Sequence, residues 1–345
     1  MQMKGVDVMV GSTRRGRTLA RLGYCALALT LGIGLTACSA DSSAPEESSS
    51  SSGDERIELI TSVPASDPFF AVMAKAGKVA AEEYGIEVNY RSPATYTTTP
   101  EEQARLIDNA IATAPDGIVT TLPSEALVSH LNAASDKGIP LAVVNSGNEL
   151  IDQTQALVYY GESALSAGQD MGRRLKAEGV THVLCPTLPR GTVKTVDDRC
   201  DGLEDGIAPG KMTTTVIDPG DSIATRNRVQ AAVQKDPSIN GVISLGATVS
   251  AATLAAKEAL GTRGEEIKWA SFDLGEATLQ GIIDGHYLFA EDQQQFLQVY
   301  NAIVTLILNS RYGFVPGTRI VNTSAPVVGV EEAERMLALS KDQIR

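Results

Sequence analysis

Short apolar strand patterns alternate with helix patterns from residue 56 to the C-terminus, and this alternation limits the possible folds more than any other feature. Residues 56–63 form the first strand pattern, and apolar residues then recur at helical spacing until Gly85. Buried strand patterns follow at 117–121 and 141–144. Strands that alternate with helices form parallel sheets with right-handed crossovers. The pattern restarts near residue 156, so we expect an α/β fold with two similar halves.

Residues 1–37 have the layout of an export signal. Four arginines precede an uncharged apolar run, Leu22 to Ala37, which is shorter than the ~20 residues needed to span a bilayer. The run ends in Leu35-Thr36-Ala37-Cys38, which resembles the lipobox of bacterial lipoproteins. An ordinary signal peptide also ends in small residues, but a Cys directly after them favours the lipobox. By that resemblance, residues 1–37 are removed and Cys38 carries the lipid that anchors the protein to the membrane.

Residues 38–55 are rich in Ser and contain a run of Ser from 48 to 52. Such a segment cannot bury enough apolar surface to fold, so we predict a flexible tether. The tether would hold the globular body away from the membrane surface.

Net charge and length limit the class of protein. The chain has 29 basic and 42 acidic residues, of which 5 basic and 1 acidic lie in residues 1–37, so the rest carries a net charge of −17. That charge argues against binding to nucleic acid or to anionic lipid. The roughly 290 residues after the tether exceed a typical single core, which predicts two domains.

Two of the four cysteines remain for the folded body, because Cys25 leaves with the signal and Cys38 is the lipidation site. Disulfides form in exported proteins, and a bridge between Cys185 and Cys200 would stabilise the fold by roughly 3 kcal/mol. Two unpaired thiols are the alternative, and sequence alone leaves both possibilities open.

Motifs for enzymatic chemistry are missing from the sequence. It contains no GxxxxGK[ST] loop, no HExxH, no CxxC and no EF-hand loop. Residues 161–165 lack the last Gly of a nucleophile elbow, and the three histidines lie far apart. We therefore expect a protein that is not an enzyme and has no catalytic residues, metal site or cofactor.

Polar and aromatic residues instead follow the predicted strands. Ligands of open α/β sheets bind outside the carboxyl ends of the strands. Carboxylates, amides and Arg pair with hydroxyl groups, and aromatic faces stack on C–H groups, so this combination is typical of a sugar or polyol site. Each residue also has an ordinary structural role, such as a helix cap for Asp67 or a turn for Asn145. Their shared position at strand ends favours the predicted ligand-binding set: Asp67, Phe69, Phe70, Asn145, Arg199, Asp273 and Gln293.

At these positions the chain resembles the periplasmic sugar-binding proteins of the ribose-binding type, the type I solute-binding subunits of ABC importers. The family's Asn-Pro-Phe-Phe appears as Asp67-Pro68-Phe69-Phe70. Its Arg falls on Arg199, placed in the loop segment 198–202, and its Phe-Asp-Gly strand end on Phe272-Asp273-Leu274. Its cleft Gln falls on Gln293.

The resemblance implies two Rossmann-like domains that are joined by a three-crossing hinge and close on the ligand. We expect crossings near Tyr160, Ala290–Asp292 and Val321–Ser324. The predicted lobes are an N-terminal lobe of residues 56–160 plus 292–322 and a C-terminal lobe of residues 161–291 plus 323–345.

Departures from the ribose-binding pattern predict a different ligand. Ribose binders carry Asp-Arg where this chain has Asn145-Ser146, and Gln-Asn-Asp where it has Leu245-Gly246-Ala247. The smaller groups indicate another neutral ligand, such as a hexose, pentitol, cyclitol or furanosyl signal molecule. Four acidic residues near one cleft would repel phosphorylated sugars: Asp67, Asp273, Glu291 and Asp292.

The expected function is capture of a simple sugar or polyol outside the cytoplasmic membrane, by a monomer that delivers it to an ABC permease. A sensor that feeds a chemoreceptor or kinase is one alternative, and an extracellular sugar-modifying enzyme is another. LacI-type regulators share the fold, but they need a helix-turn-helix and a basic face where this chain has an export signal. No nucleic-acid partner is expected.

Overall fold

The computed structural model describes residues 55–95, 99–324 and 327–345. The predicted export signal, Cys38 and residues 38–54 of the predicted tether lie outside the described residues. Within those ranges, no helix combines the length and the apolar character that crossing a membrane requires.

The described residues form eleven strands and eleven α-helices, which alternate along most of the chain. The strands are β1 (Arg56–Ile60), β2 (Glu87–Arg91), β3 (Gly117–Thr120), β4 (Leu141–Asn145), β5 (Val158–Gly161), β6 (His182–Thr187), β7 (Lys211–Val216), β8 (Gly241–Ser244), β9 (Lys268–Phe272), β10 (Ala290–Glu291) and β11 (Ile320–Asn322). The helices are α1 (Pro68–Tyr84), α2 (Glu101–Ala112), α3 (Val128–Ser135), α4 (Ala164–Ala177), α5 (Lys194–Ile207), α6 (Ser222–Lys235), α7 (Ala247–Ala259), α8 (Thr262–Glu266), α9 (Glu276–Ile283), α10 (Gln295–Tyr312) and α11 (Val330–Lys341).

The strands build two separate parallel sheets. The first sheet has the order β11-β5-β4-β3-β1-β2 and the second the order β10-β9-β8-β6-β7. All pairs between these named strands are parallel. The predicted α/β fold with two parallel-sheet lobes is confirmed. We call the first sheet with its helices the N-lobe, and the second sheet with its helices the C-lobe.

The chain passes between the two sheets three times. It leaves the first sheet after β5 and returns after β10, and α10 then packs its buried Val299 and Ile303 into the N-lobe core. After β11 pairs with β5, α11 packs through Ala333 into the C-lobe core. The residue limits given above for the lobes stay a prediction.

Both faces of each sheet are covered by helices, which is why the central strands are continuously apolar. In β4, Ala142 and Val144 join the core under α1 and α10, whereas Leu141 and Val143 join the core under α2 and α3. Successive side chains of a strand point to opposite faces, so one four-residue run supplies both cores. The carboxyl ends of the strands are left for the turns that form the cleft.

Helix α1 begins and ends as its sequence predicts. Asp67 accepts hydrogen bonds from the backbone N–H groups of Phe69 (2.8 Å) and Phe70 (3.3 Å), and Pro68 occupies the first turn. Gly85 ends the helix with a left-handed φ of 65°. The cap fixes Asp67, Phe69 and Phe70 at the N-terminus of α1, where the chain enters this helix after β1.

The predicted position of Arg199, in a loop at the end of a strand, was wrong. Helix α5 begins at Lys194, so residues 198–202 are helical and Arg199 lies in the helix, not in a loop or at a strand end. Cys200, Leu203 and Ile207 are buried on one side of this helix, and their helical spacing accounts for its earlier start. The five-residue helix α8 was not predicted.

Candidate ligand-binding cleft

A cavity of about 910 Å³ lies between the strand ends of the two lobes. All seven residues of the predicted ligand-binding set line it: Asp67, Phe69, Phe70, Asn145, Arg199, Asp273 and Gln293. The structure therefore brings together residues as far apart in the sequence as Asp67 and Gln293, which are 226 positions apart. Their role in binding a ligand stays a prediction.

The aromatic part of the wall belongs to α1 in the N-lobe. The rings of Phe69 and Phe70 meet edge to face, with centroids 5.3 Å apart. Phe69 is 4% exposed and belongs to the N-lobe core as well as to the wall. Phe70 is only partly buried and offers the larger accessible face to a ligand.

Asn145 and Asp273 occupy matching positions in the two lobes. Asn145 is the last residue of β4 and Asp273 follows the last residue of β9, and both have a φ of 64°. A left-handed φ is uncommon outside Gly and is enriched in Asn and Asp. Backbone strain of this kind concentrates at functional sites. Here it marks the turn after one strand in each lobe at the point where the cleft begins.

A hydrogen-bonded chain of side chains, which we call the polar chain, joins these two positions. Asn145 Nδ2 donates to Gln293 Oε1 at 3.2 Å, and Gln293 Nε2 donates to Asp273 Oδ1. Arg199 donates to the same Asp273 oxygen at 3.3 Å and to Glu162 Oε1 at 2.8 Å. The chain thus runs from the N-lobe through the hinge into the C-lobe.

Arg199 is the buried cation of this site, with 4% of its surface exposed. Its guanidinium also donates to the carbonyl of Leu245 at 3.1 Å and lies 4.5 Å from the centre of the Phe272 ring. Burial alone would lower the pKa of Arg199, but the carboxylates of Asp273 and Glu162 outweigh burial and raise the pKa above its usual range. Arg199 therefore stays charged.

Two buried carboxyl groups lie beside Arg199, and one of them, Glu162, was missed as a functional residue. Glu162 accepts hydrogen bonds from Arg199 and from Ser324 Oγ, the latter at 3.2 Å. Glu291 is 4% exposed, and its carboxyl group lies beside that of Glu162, with which it can share a proton in a hydrogen bond. Burial, followed by the charge of Glu162, raises the pKa of Glu291 well above its usual range.

The pKa of Asp273 is also shifted. Burial raises it to about 6, against the opposing effect of the Arg199 charge and of the hydrogen bond from Gln293. Asp273 and Glu291 thus both have a raised pKa beside one buried cation, which favours a proton on one of these two carboxyl groups.

Glu291 and Asp292, which were expected near the cleft, lie in the hinge and do not belong to the cavity wall. Asp292 forms an ion pair with Arg345 and accepts a hydrogen bond from the backbone N–H of Gln294 at 2.9 Å. The strand β10 is only two residues long, and both of its side chains are buried behind the cleft. Asp67 and Asp273 do line the cavity.

A signal for Glu162 was present in the sequence. It follows directly after β5, the same position that Asp273 holds after β9, so the rule of polar residues at strand ends applies to it equally. For Thr248, which also lines the cavity, the sequence gives only its place near the start of α7.

Cys185 and Cys200 are joined by a disulfide, with their Cα atoms 6.4 Å apart. Of the two alternatives that the sequence left open, the structure has the bridge. It fixes α5 to β6 one residue away from Arg199.

Within the described ranges, no group of three or more His, Cys, Asp or Glu residues has the geometry to hold a metal ion.

Two parallel-sheet lobes with a polar cleft at their strand ends define a binding protein of the two-lobed, hinged class. Residues 57–309 match the family described as periplasmic binding protein domain, and the chain belongs to that family. The resemblance to type I periplasmic binding proteins that the four motifs indicated is confirmed.

Solved structures of similar proteins share this architecture. A carbohydrate transporter from Acidothermus cellulolyticus 11B, solved in complex with myo-inositol, is 28% identical with a TM-score of 0.78, over 84% of this chain and 99% of that one. GanP, a glucose-galactose binding protein from Geobacillus stearothermophilus, is 20% identical with a TM-score of 0.71, over 81% of this chain and 98% of that one. At 20% identity, the second likeness concerns the fold alone.

Among curated proteins, the xylose/arabinose-binding protein XylF of Sulfolobus acidocaldarius is 24% identical over 239 residues. The match covers 65% of this chain and 59% of XylF, so it spans less than two thirds of the length of that relative.

Proposed function

We propose that this protein captures a neutral sugar or polyol in the cleft and delivers it to an ABC permease. The observation that carries the proposal is the polar chain, which presents donors and acceptors of both lobes to one cavity. The lipid on Cys38 would keep the protein at the outer face of the cytoplasmic membrane or in the periplasm.

The chemistry of the polar chain suits hydroxyl groups. A hydroxyl donates one hydrogen bond and accepts others, and the Asp273 carboxylate and the Asn145 amide supply both functions. Hydrogen bonds to charged partners contribute about 1.5–3 kcal/mol each. The partly exposed ring of Phe70 adds an apolar face for the C–H groups of a sugar or cyclitol.

The charges around the cavity favour a neutral ligand over a phosphorylated one. Arg199 is already paired with Glu162 and Asp273, so its charge is balanced before any ligand enters. Asp67 and Asp273 add negative charge to the wall and would repel a phosphate group.

Binding needs no covalent step in this proposal. The two lobes would separate at the hinge, admit the ligand and close over it, so that the bound form is the more closed one. The carbohydrate transporter and XylF described above are named as transport and binding proteins, which supports a role without catalysis.

The test is a thermal-shift screen of the purified protein against hexoses, pentoses, pentitols and cyclitols, myo-inositol included, with calorimetry on each hit. We expect at least one of these compounds to bind at one site per chain. Asp273→Asn should weaken binding of that compound strongly, whereas Asp284→Asn, an aspartate outside the cavity, should not. Absence of binding across the panel, or wild-type affinity in Asp273→Asn, contradicts the proposal.

Delivery to a permease is tested separately in the native membrane. Mass spectrometry should find the mature chain beginning at a lipid-modified Cys38. Cross-linking in the presence of the ligand should recover permease subunits. Recovery of a chemoreceptor or histidine kinase in their place would assign the protein to sensing.

A further inference from the structure

The cavity has two ends with different chemistry, because the sheet order separates them. The polar chain lies toward the hinge, where β4, β9 and β10 end. The opposite end lies by β6 and by β7, which is the edge strand of the second sheet farthest from β10. Six cavity-lining residues of this end form what we call the outer pocket: Pro186, Leu188, Pro189, Val193, Val216 and Ile217.

The N-lobe side of the outer part of the cleft contributes apolar residues too. Pro123 follows β3, and Pro100 lies between β2 and α2, and both line the cavity. Ligand pockets are lined mainly by apolar side chains, with a few polar groups that fix the orientation of the ligand. At the outer end, the six apolar residues of the outer pocket share the wall with polar ones: Thr187, Thr192, Thr195, Asp218, Asp221 and Arg228.

Three polar side chains near the outer pocket make hydrogen bonds within the C-lobe, whereas the buried Oγ1 of Thr187, another cavity-lining residue, has no hydrogen-bond partner among the described residues. Asp221 caps α6 through the N–H of Ala224 at 2.9 Å, and Arg228 donates to the Val216 carbonyl at 3.1 Å. Thr192 Oγ1 donates to the Pro189 carbonyl at 2.6 Å. A second sugar ring would need many paired donors and acceptors, and Thr192, Asp221 and Arg228 already use part of their hydrogen-bonding capacity within the C-lobe. An apolar group would fit this surface without such partners.

The volume of the cavity agrees with a ligand larger than one sugar ring. At about 910 Å³ it is near the upper end of the roughly 300–1,000 Å³ that pockets for drug-sized ligands occupy. One ring bound to the polar chain would leave the outer pocket filled only with water. Apolar surface in contact with water is a source of affinity for any ligand group that covers it.

We infer that the ligand is a neutral glycoside, with its sugar or cyclitol ring on the polar chain and an apolar alkyl or aryl aglycone in the outer pocket. The inference rests on the proposed function, since the ring must bind where the proposal places it. Asp218 and Asp221 outnumber Arg228 among the charged residues at this end, which disfavours an aglycone that carries negative charge.

The experiment is calorimetry on the purified protein with matched ligands: each free sugar of the panel, its methyl, hexyl and phenyl glycosides in both anomers, and the corresponding disaccharides. We expect the hexyl or phenyl glycoside of one sugar to bind about tenfold or more tightly than the free sugar, because it buries apolar surface. Equal or weaker binding of these glycosides, or tighter binding of a disaccharide, overturns the inference.

These outcomes separate the inference from the proposed function. Free sugars that bind as tightly as their glycosides support carbohydrate capture and overturn the glycoside. If neither free sugars nor glycosides bind, both fail.

Polar substitutions in the outer pocket provide a second readout. Leu188→Asn and Val216→Asn should reduce the affinity ratio of phenyl glycoside to free sugar to about one. Val216 is 45% exposed, so folding of this variant is not at risk from a buried polar group. Val330→Asn, at a valine 49% exposed on α11 and outside the cavity, is the matched control and should keep the ratio. An unchanged ratio in both pocket variants contradicts the inference.

Discussion

Asp67 connects the two lobes through one carboxylate. Its Oδ2 accepts a hydrogen bond from Thr248 Oγ1 of the C-lobe, while its Oδ1 caps α1 of the N-lobe. Sugar binders of the ribose type carry Asn at this position, and an amide offers one acceptor and one donor. A carboxylate offers two acceptors, so Asp67 can cap its helix and hold the opposite lobe at the same time.

Loss of either partner should therefore weaken the contact between the lobes. We expect Thr248→Val to lower the free energy of unfolding by about 1 kcal/mol, Asp67→Ala to lower it by about 2 kcal/mol because it also removes the cap of α1, and the double variant to lose less than the sum. Denaturant unfolding of the four proteins measures the coupling energy. Strict additivity would show that the two side chains do not interact.

Arg199 should be the most sensitive residue of the cleft. Replacing it with Met leaves Glu162 and Asp273 buried without their cation, which costs about 3–5 kcal/mol in comparable buried pairs. Arg173 on α4, with 60% of its side chain exposed, is the matched control, and Arg173→Met should change stability by about 1 kcal/mol or less. Chemical denaturation measures both. Similar losses in the two variants would contradict a stabilising role for the buried ion pairs.

Much of this architecture could be predicted from residue patterns because the signals are local. The alternation of strands and helices, the cap at Asp67 and the polar strand ends at Asn145 and Asp273 depend on neighbouring residues. The start of α5 was misplaced because Asp197 and Asp198 interrupt its apolar pattern ahead of Arg199.

Contacts between distant segments could not be predicted in the same way. The contact between Glu162, Arg199 and Glu291 depends on how two lobes and three crossings are placed. The spacing of apolar residues along the sequence does not determine that placement. A two-residue strand such as β10 is also too short for alternation to show which way Glu291 and Asp292 point. Glu162 pairs with Arg199, Asp292 pairs with Arg345, and Glu291 lies beside Glu162, and in each case the partner is far away in the sequence.

Glu291 should make stability depend on pH. Because the pKa of Glu291 is raised in the folded protein, the folded state holds its proton more tightly than the unfolded state. The resulting stabilisation is fully present below the unfolded pKa and is lost as the pH rises through the folded pKa. Glu291→Gln keeps this side chain neutral at every pH, so its melting temperature should exceed that of the wild type increasingly from pH 5 to pH 9.

The control for this comparison is Glu331→Gln, at an exposed glutamate in the first turn of α11. The difference in melting temperature between Glu331→Gln and the wild type should not change with pH in the same way. A flat difference between Glu291→Gln and the wild type would show that Glu291 has no raised pKa in the folded protein.

Asp273 should make ligand affinity rise with pH, whereas Glu291 makes stability fall as the pH rises. Its pKa is raised to about 6 by burial, so acidification below that value protonates a carboxylate that accepts hydrogen bonds from Gln293 and Arg199. We expect affinity for the best compound of the panel to fall as the pH decreases from 7 to 5. Calorimetry across this range measures the effect, and Asp273→Asn should have a weaker and flatter profile. An affinity that rises on acidification would contradict a charged acceptor at this position.

The disulfide should contribute both to the stability of the protein and to the affinity of the cleft for its ligand. It closes a segment with a sequence separation of 15, for which loop entropy gives roughly 3 kcal/mol. Cys200 neighbours Arg199 on α5, so the bridge to β6 also limits how far the guanidinium can move from Asp273 and Glu162.

We expect the Cys185→Ala/Cys200→Ala variant to lose about 3 kcal/mol of stability and also to bind the best compound of the panel more weakly at a temperature where it is still folded. Denaturant unfolding and calorimetry measure the two effects, and Met212→Ala, which perturbs the same C-lobe core, controls for lost packing. A variant that loses stability but keeps wild-type affinity would limit the disulfide to a structural role.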